Sequence, residues 1–238
     1  MRLSRLLTSL LTLTLLTGPA ALVAAPAASA AETYPTEVVI ELDRKKVRYD
    51  DTFGIQGQVL ATLADGQKYY VEYAEVQLQR MFPGKSWVGI DDTVAGADGV
   101  FDFYSVVGKQ NASYRVTYQG ETYTTEAGEA TLSGSTSAAQ KLLVARDIEI
   151  GSRETATQMF FTGKVAPSYK KKVVQVQVRK CAKCGWKFFK KVRTNNRSRF
   201  SLSVPVPRTG DWDYRAKTPE SKAFIASISD RYLSVYMF

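Results

Sequence analysis

Apolar residues in this chain recur at every second position. Phe53, Ile55, Gly57, Val59 and Ala61 alternate with polar neighbours, as do Val76 and Leu78, Phe101 and Phe103, and Tyr114, Val116 and Tyr118. A period of two places successive side chains on opposite faces of an extended backbone, so these runs predict strands with one buried face. Turn signals separate them at Ala64-Asp65-Gly66, Pro83-Gly84-Lys85 and Ala97-Asp98-Gly99. No window sustains a helical period. Short strands at regular spacing with Gly or Asp turns predict an all-β, antiparallel sandwich.

The chain also repeats itself at an offset near one hundred residues. Gly57-Gln58-Val59 matches Gly163-Lys164-Val165, Val76-Gln77-Leu78 matches Val176-Gln177-Val178, and Trp87 matches Trp186. Phe101-Asp102-Phe103 then matches Phe200-Ser201-Leu202, and Tyr114-Arg115-Val116 matches Tyr214-Arg215-Ala216. Matches in one order at nearly one separation indicate two copies of one unit, each large enough to bury its own core. Thr131 to Gln140 is small and polar, as a linker would be, and Lys141-Leu142-Leu143-Val144 reads as the start of the second copy.

Both copies resemble the immunoglobulin-like, or fibronectin III-like, repeat of secreted bacterial proteins. The motifs that carry the resemblance are Gly57-Gln58-Val59, Val76-Gln77-Leu78-Gln79-Arg80, Trp87, Asp98-Gly99-Val100-Phe101-Asp102-Phe103 and Tyr114-Arg115-Val116. The second copy keeps Gly163-Lys164-Val165, Val176-Gln177-Val178-Arg179-Lys180, Trp186, Phe200-Ser201-Leu202 and Tyr214-Arg215-Ala216. It replaces the Asp-Gly turn with Asn196-Arg197-Ser198-Arg199. The resemblance implies two tandem β-sandwiches and specifies no ligand. It also implies that Tyr114 and Tyr214 act as tyrosine corners, their hydroxyls returning to the backbone.

Residues 1–30 carry Arg2 and Arg5, an apolar LLTSLLTLTLLTG run and Ala28-Ser29-Ala30, the three regions of a secretory signal in order. The expected plan is a signal peptide over 1–30, an acidic first unit over 31–130, a linker over 131–140 and a basic second unit over 141–238. A mature chain secreted to the cell exterior, without a membrane span and associated with the envelope, is the expectation.

Composition removes most catalytic chemistry. The 238 residues include no histidine, which excludes Ser-His-Asp and Cys-His catalysis, His-ligated zinc and imidazole proton transfer. Asp91 with Asp92, and Asp211 with Asp213, are carboxylate pairs of the kind glycosidases use, but they sit near predicted turns or strand ends, where Asp is common for backbone reasons. Asp91, Asp92 and Asp98 match no EF-hand spacing. Tyr69, Tyr70 and Tyr73 are candidates for stacking on sugar and also good strand formers. The sequence therefore points to a protein without catalytic activity, cofactor or bound metal.

Cys181 and Cys184 are the only cysteines and share one predicted hairpin turn. In an oxidising compartment they read as a local disulfide. A zinc knuckle would need two further ligands from a second chain. A thiol-redox pair, making the protein a redox accessory or an uncharacterised enzyme, is the alternative functional class.

Charge is divided unequally. Residues 31–140 hold 9 Lys and Arg against 16 Asp and Glu, net −7, whereas residues 141–238 hold 21 against 7, net +14. Lys170, Lys171 and Lys172 precede one predicted strand, and Lys187, Lys191, Arg193, Arg197 and Arg199 crowd the next strand and turn. With Val174, Val176 and Val178 inward, Arg179 faces out beside Lys187, Phe189, Lys191 and Arg193, giving a basic sheet face with one exposed aromatic. Such a face suits an anionic polymer such as wall teichoic acid, an acidic polysaccharide or extracellular nucleic acid, bound through counterion release. The other uses of such charge are solubility and edge protection, or docking to the acidic half or to a surface protein.

Overall fold

Period-two alternation becomes strand throughout a computed structural model that describes residues 32–125 and 128–236. The signal-peptide reading of residues 1–30 lies outside the described residues. The first stretch comprises β1 (Glu32–Tyr34), β2 (Thr36–Leu42), β3 (Lys46–Arg48), β4 (Thr52–Thr62), β5 (Lys68–Tyr70), β6 (Glu75–Met81), β7 (Val88–Val94), β8 (Val100–Val107), β9 (Ala112–Tyr118), β10 (Glu121–Thr125), β11 (Gly128–Leu132), β12 (Ser135–Thr136) and β13 (Gln140–Ala145). The second comprises β14 (Asp147–Glu154), β15 (Met159–Ala166), β16 (Val173–Arg179), β17 (Lys187–Arg193), β18 (Arg199–Val204), β19 (Trp212–Thr218), β20 (Ser227–Ile228) and β21 (Leu233–Val235). No helix occurs among the described residues.

In the first half, β2-β4-β5 with β8 on β4 packs over β3-β13-β9-β6-β7 with β12 on β9. The alternation decides which side chains fill the space between them: Phe53, Ile55, Val59 and Ala61 of β4 are buried together with Val76, Leu78, Tyr114, Val116 and Tyr118 from the opposite sheet. Phe53 meets Tyr114 edge-on across the sandwich, ring centres 5.2 Å apart. A third small sheet, β1-β11-β10, has no counterpart in the second half. There, β14-β15-β18 packs over β17-β16-β19 with β20 and β21 on β19, and Phe161, Val165, Val174, Val176, Phe200, Tyr214 and Ala216 form a separate core.

The halves share local devices. Gly57 and Gly163 let a phenylalanine ring lie directly on the strand: a Cβ at Gly57 would stand 2.4 Å from Phe101, and one at Gly163 2.5 Å from Phe200. At the turn before that phenylalanine, Gly99 takes a left-handed φ of 70° and Ser198 one of 59°. Serine tolerates this strain because it is held on both sides. Its Oγ accepts the Tyr169 N–H at 2.8 Å, and its N–H reaches the Asn195 carbonyl at 3.1 Å.

Three expectations need correction. The structure aligns Leu78 with Val176, because Leu78 stands opposite Val116 and Val176 opposite Ala216, so the Val-Gln motif of the second copy is Val174-Gln175-Val176-Gln177. A slip of two preserves which residues face inward, and so escaped the alternation pattern. The stretch read as a linker carries the end of β11, β12 and the first residue of β13, and it buries Leu132 and Ser137. Leu142 and Val144, read as the opening of the second copy, are fully buried in the first core, where β13 pairs with β9 and β3. One residue, Arg146, separates β13 from β14.

That residue also joins the two cores. Phe224, from the loop after β19, is buried against the first core rather than the second. The loop is held there by backbone bonds from Asn111 N–H to Ala223 O, 2.8 Å, and from Ile225 N–H to Val144 O, 2.9 Å. The Asn111 side chain adds two more, donating to Lys222 O at 3.2 Å and accepting the Val144 N–H at 2.7 Å. The Arg146 guanidinium lies over Phe224 on one side and Tyr169 on the other, and donates to Pro167 O at 3.2 Å.

Candidate anion-binding site

β16 and β17 form the hairpin on which the basic face was expected, and a bulge between Val176 and Gln177 redraws it. Opposite β16, Val176 faces Lys190 and Gln177 faces Phe188, so Phe189 is displaced to the inner side. Phe189 packs edge-on against Tyr214 at 5.5 Å. Phe188, 59% exposed, is the aromatic on the outer face. The expectation of an exposed Phe189 fails because a bulge reverses side-chain parity at a point that alternation cannot locate.

Arg179 is not a free cation either. Its Nε and NH2 donate to one Asp213 oxygen at 2.9 and 2.7 Å, while Ser234 holds the other at 2.6 Å. The guanidinium is also stacked between Trp186 and Tyr232. Asp213 is thereby committed to structure. Beside it, Arg215 donates to Gln177 at 2.8 Å and lies 4.3 Å over Trp186. The first half repeats this unit: Arg115 donates to Gln79 at 2.8 Å and lies 4.3 Å over Trp87. The repeat recognised in the sequence therefore extends to an outer-face Arg-Gln-Trp cluster.

The remaining candidates divide between two places. Lys187 and Lys191 stay exposed on β17, and Lys170, Lys171 and Lys172 are exposed in the turn before β16. Arg193 and Arg199, by contrast, flank a groove of about 680 Å³ on the outer side of β14-β15-β18. Register explains the concavity. Gly151, Thr162 and Ser201 lie side by side across the three strands, all outward and all small. The next outward row is Glu149, Lys164 and Arg199, and Arg153 faces out at the other end, 4.3 Å over Phe160. Arg193 and Asn195 close the side nearest β17.

No family model matches this sequence, and neither does any curated protein.

Sequence reasoning missed Lys164 and Arg153, which lie outside the lysine-rich run that drew attention. Arg197 is exposed in the β17–β18 turn, outside the groove lining. None of Arg153, Lys164, Arg193 and Arg199 has a carboxylate within ion-pair reach among the described residues, although Glu149 shares the groove wall. Glu149 stands beside Lys164 across the β14–β15 pair and Arg193 donates to Lys171 O at 3.2 Å, so the groove presents an excess of positive charge, rather than four isolated cations, to an incoming anion.

Cys181 and Cys184 stand at disulfide distance across the β16–β17 turn, Cα atoms 5.1 Å apart, both exposed. Asp91 and Asp92 lie on β7; Tyr70, at the end of β5, and Tyr73, in the loop after it, are exposed. Among the described residues no cluster of three acidic, Cys or His side chains could hold a metal. Among the described residues no helix is long and apolar enough to cross a membrane.

Proposed function

We propose that this chain is a secreted, non-catalytic binding module of two immunoglobulin-like repeats, its basic second half binding an anionic polymer of the cell envelope. The observation that carries the reading is the group of four unpaired cations, Arg153, Lys164, Arg193 and Arg199, around one concave surface. Cations spent on solubility need no shared concavity, and Arg179, spent on architecture, is neutralised by Asp213. Binding through released counterions falls steeply with salt.

Co-sedimentation of the mature protein with bacterial envelope fractions across a salt series tests the reading. Retention at low salt that declines log-linearly with salt supports it; the absence of retention at every salt concentration overturns it.

A further inference from the structure

The groove offers more than positive charge, and its layout narrows what it can hold. Arg153 and the Lys164–Arg199 pair lie at opposite ends of it. Arg153 stands opposite Phe160, four residues from Lys164 along β15, so the two cationic ends are about 13 Å apart at strand rise. Between them lie Gly151, Thr162 and Ser201, which present no charge and two hydroxyls. A ligand filling this space carries anions at intervals with neutral, hydrogen-bonding spacers between.

The groove supplies no ring for stacking. Phe160 is covered by Arg153, and Phe200 turns into the core. Single-stranded nucleic acid is held by aromatic platforms as well as by charge, and such platforms are missing from this floor. Three of the four cations are arginines, whose planar forks suit the paired oxygens of a phosphate. The open space over Gly151 is available to a ligand atom, since a Cβ there would meet Thr162 Oγ1 only at 3.5 Å.

Building on the proposed envelope-binding role, we infer that the β14-β15-β18 groove seats one extended strand of a phosphodiester-linked polyol. Phosphates two repeats apart sit at Arg153 and at Lys164 with Arg199, and the intervening repeat faces the Thr162 and Ser201 hydroxyls. Arg193 borders the same path. The exposed lysines of β17 then contribute only to long-range attraction.

The test is fluorescence-anisotropy titration of the mature protein with a labelled glycerol-phosphate octamer, alongside an octathymidylate of matching charge. Tighter binding of the glycerol-phosphate chain is expected. Arg153→Glu and Arg199→Glu should each weaken it more than tenfold, and the double variant Lys187→Glu/Lys191→Glu less than threefold. Gly151→Leu changes no charge and fills the floor, so a tenfold loss with an unchanged far-ultraviolet circular dichroism spectrum marks the groove itself. Octamer binding that survives Gly151→Leu but is abolished by Lys187→Glu/Lys191→Glu overturns the groove while leaving the envelope reading intact. Equal or tighter binding of octathymidylate overturns the polyol assignment. Failure of both the octamer and the envelope fractions to bind overturns the two readings together.

Discussion

The guanidinium carbon of Arg146 lies 4.0 Å from the centre of the Phe224 ring, so a cation from the β13–β14 junction rests on an aromatic that the second half lends to the first. Burial lowers the Arg146 pKa, yet the group remains charged at any physiological pH. Its second ring, Tyr169, lies 4.7 Å away and belongs to the other core. The side chain thus touches both hydrophobic clusters at once.

Arg146→Ala should uncouple the halves. A desolvated cation–π contact contributes about 1–2 kcal/mol, and this residue makes two. Differential scanning calorimetry of the variant is expected to show two resolved transitions where the parent shows one. A single transition at the parental temperature would count against the coupling.

Replacing Gly163 by alanine should damage the second core. The new Cβ would stand 2.5 Å from both the Glu149 carbonyl and the Phe200 ring, so backbone and ring must move, at a cost of about 1–3 kcal/mol. Gly185→Ala, with nothing within 4 Å, is the control and should leave denaturant midpoints unchanged. Equal midpoints for the two variants would refute the close-approach account.

Alkaline pH should unfold the protein through its buried tyrosines. Burial pushes the Tyr214 hydroxyl up to about 12, and raises Tyr114 and Tyr118 in the same direction. An unfolded tyrosine ionises near 10, so the neutral form is favoured by the fold. The resulting stability is complete below pH 10 and disappears as pH rises to about 12, with Tyr214 contributing about 3 kcal/mol. Tyrosinate absorbance should rise in two stages, the second coinciding with loss of the β-sheet circular dichroism signal. Full titration before unfolding would contradict this.

Thiol titration of the native, unreduced protein should find no reactive cysteine, and two after reduction in denaturant. Bridging so short a loop stabilises by about 2 kcal/mol on chain-entropy grounds, so Cys181→Ser/Cys184→Ser should fold and melt slightly earlier. Catalysed insulin reduction by the parent protein would revive the redox alternative.

Alternation made the strands legible because burial on one sheet face is a local property of every second residue. It marks Phe53, Val59, Val76, Tyr114 and Val174 as inward positions, and all five are buried. Tyr214, expected to act as a tyrosine corner, does donate to Pro205 O at 3.2 Å, whereas the buried Tyr114 hydroxyl finds no carbonyl. What escaped were events that shift register or cross between halves. The bulge that exchanges Phe188 and Phe189 leaves no mark in composition, and Phe224 looks like any loop aromatic until Asn111 and Val144 are brought beside it. For the groove, charge density pointed to Lys187 and Lys191, whereas concavity depends on three small residues that meet only when β14, β15 and β18 pair.

β3 and β13 run parallel, with Lys46, Val47 and Arg48 matched to Leu143, Val144 and Ala145. If the chain is pulled from the β2 side against the start of β14, these strands are drawn past one another and their hydrogen bonds must rupture in concert. The second half ends on an antiparallel pairing of β21 with β19, whose bonds can open one at a time from an end. Under tension the two halves of this chain are therefore unequal springs, and the second extends first.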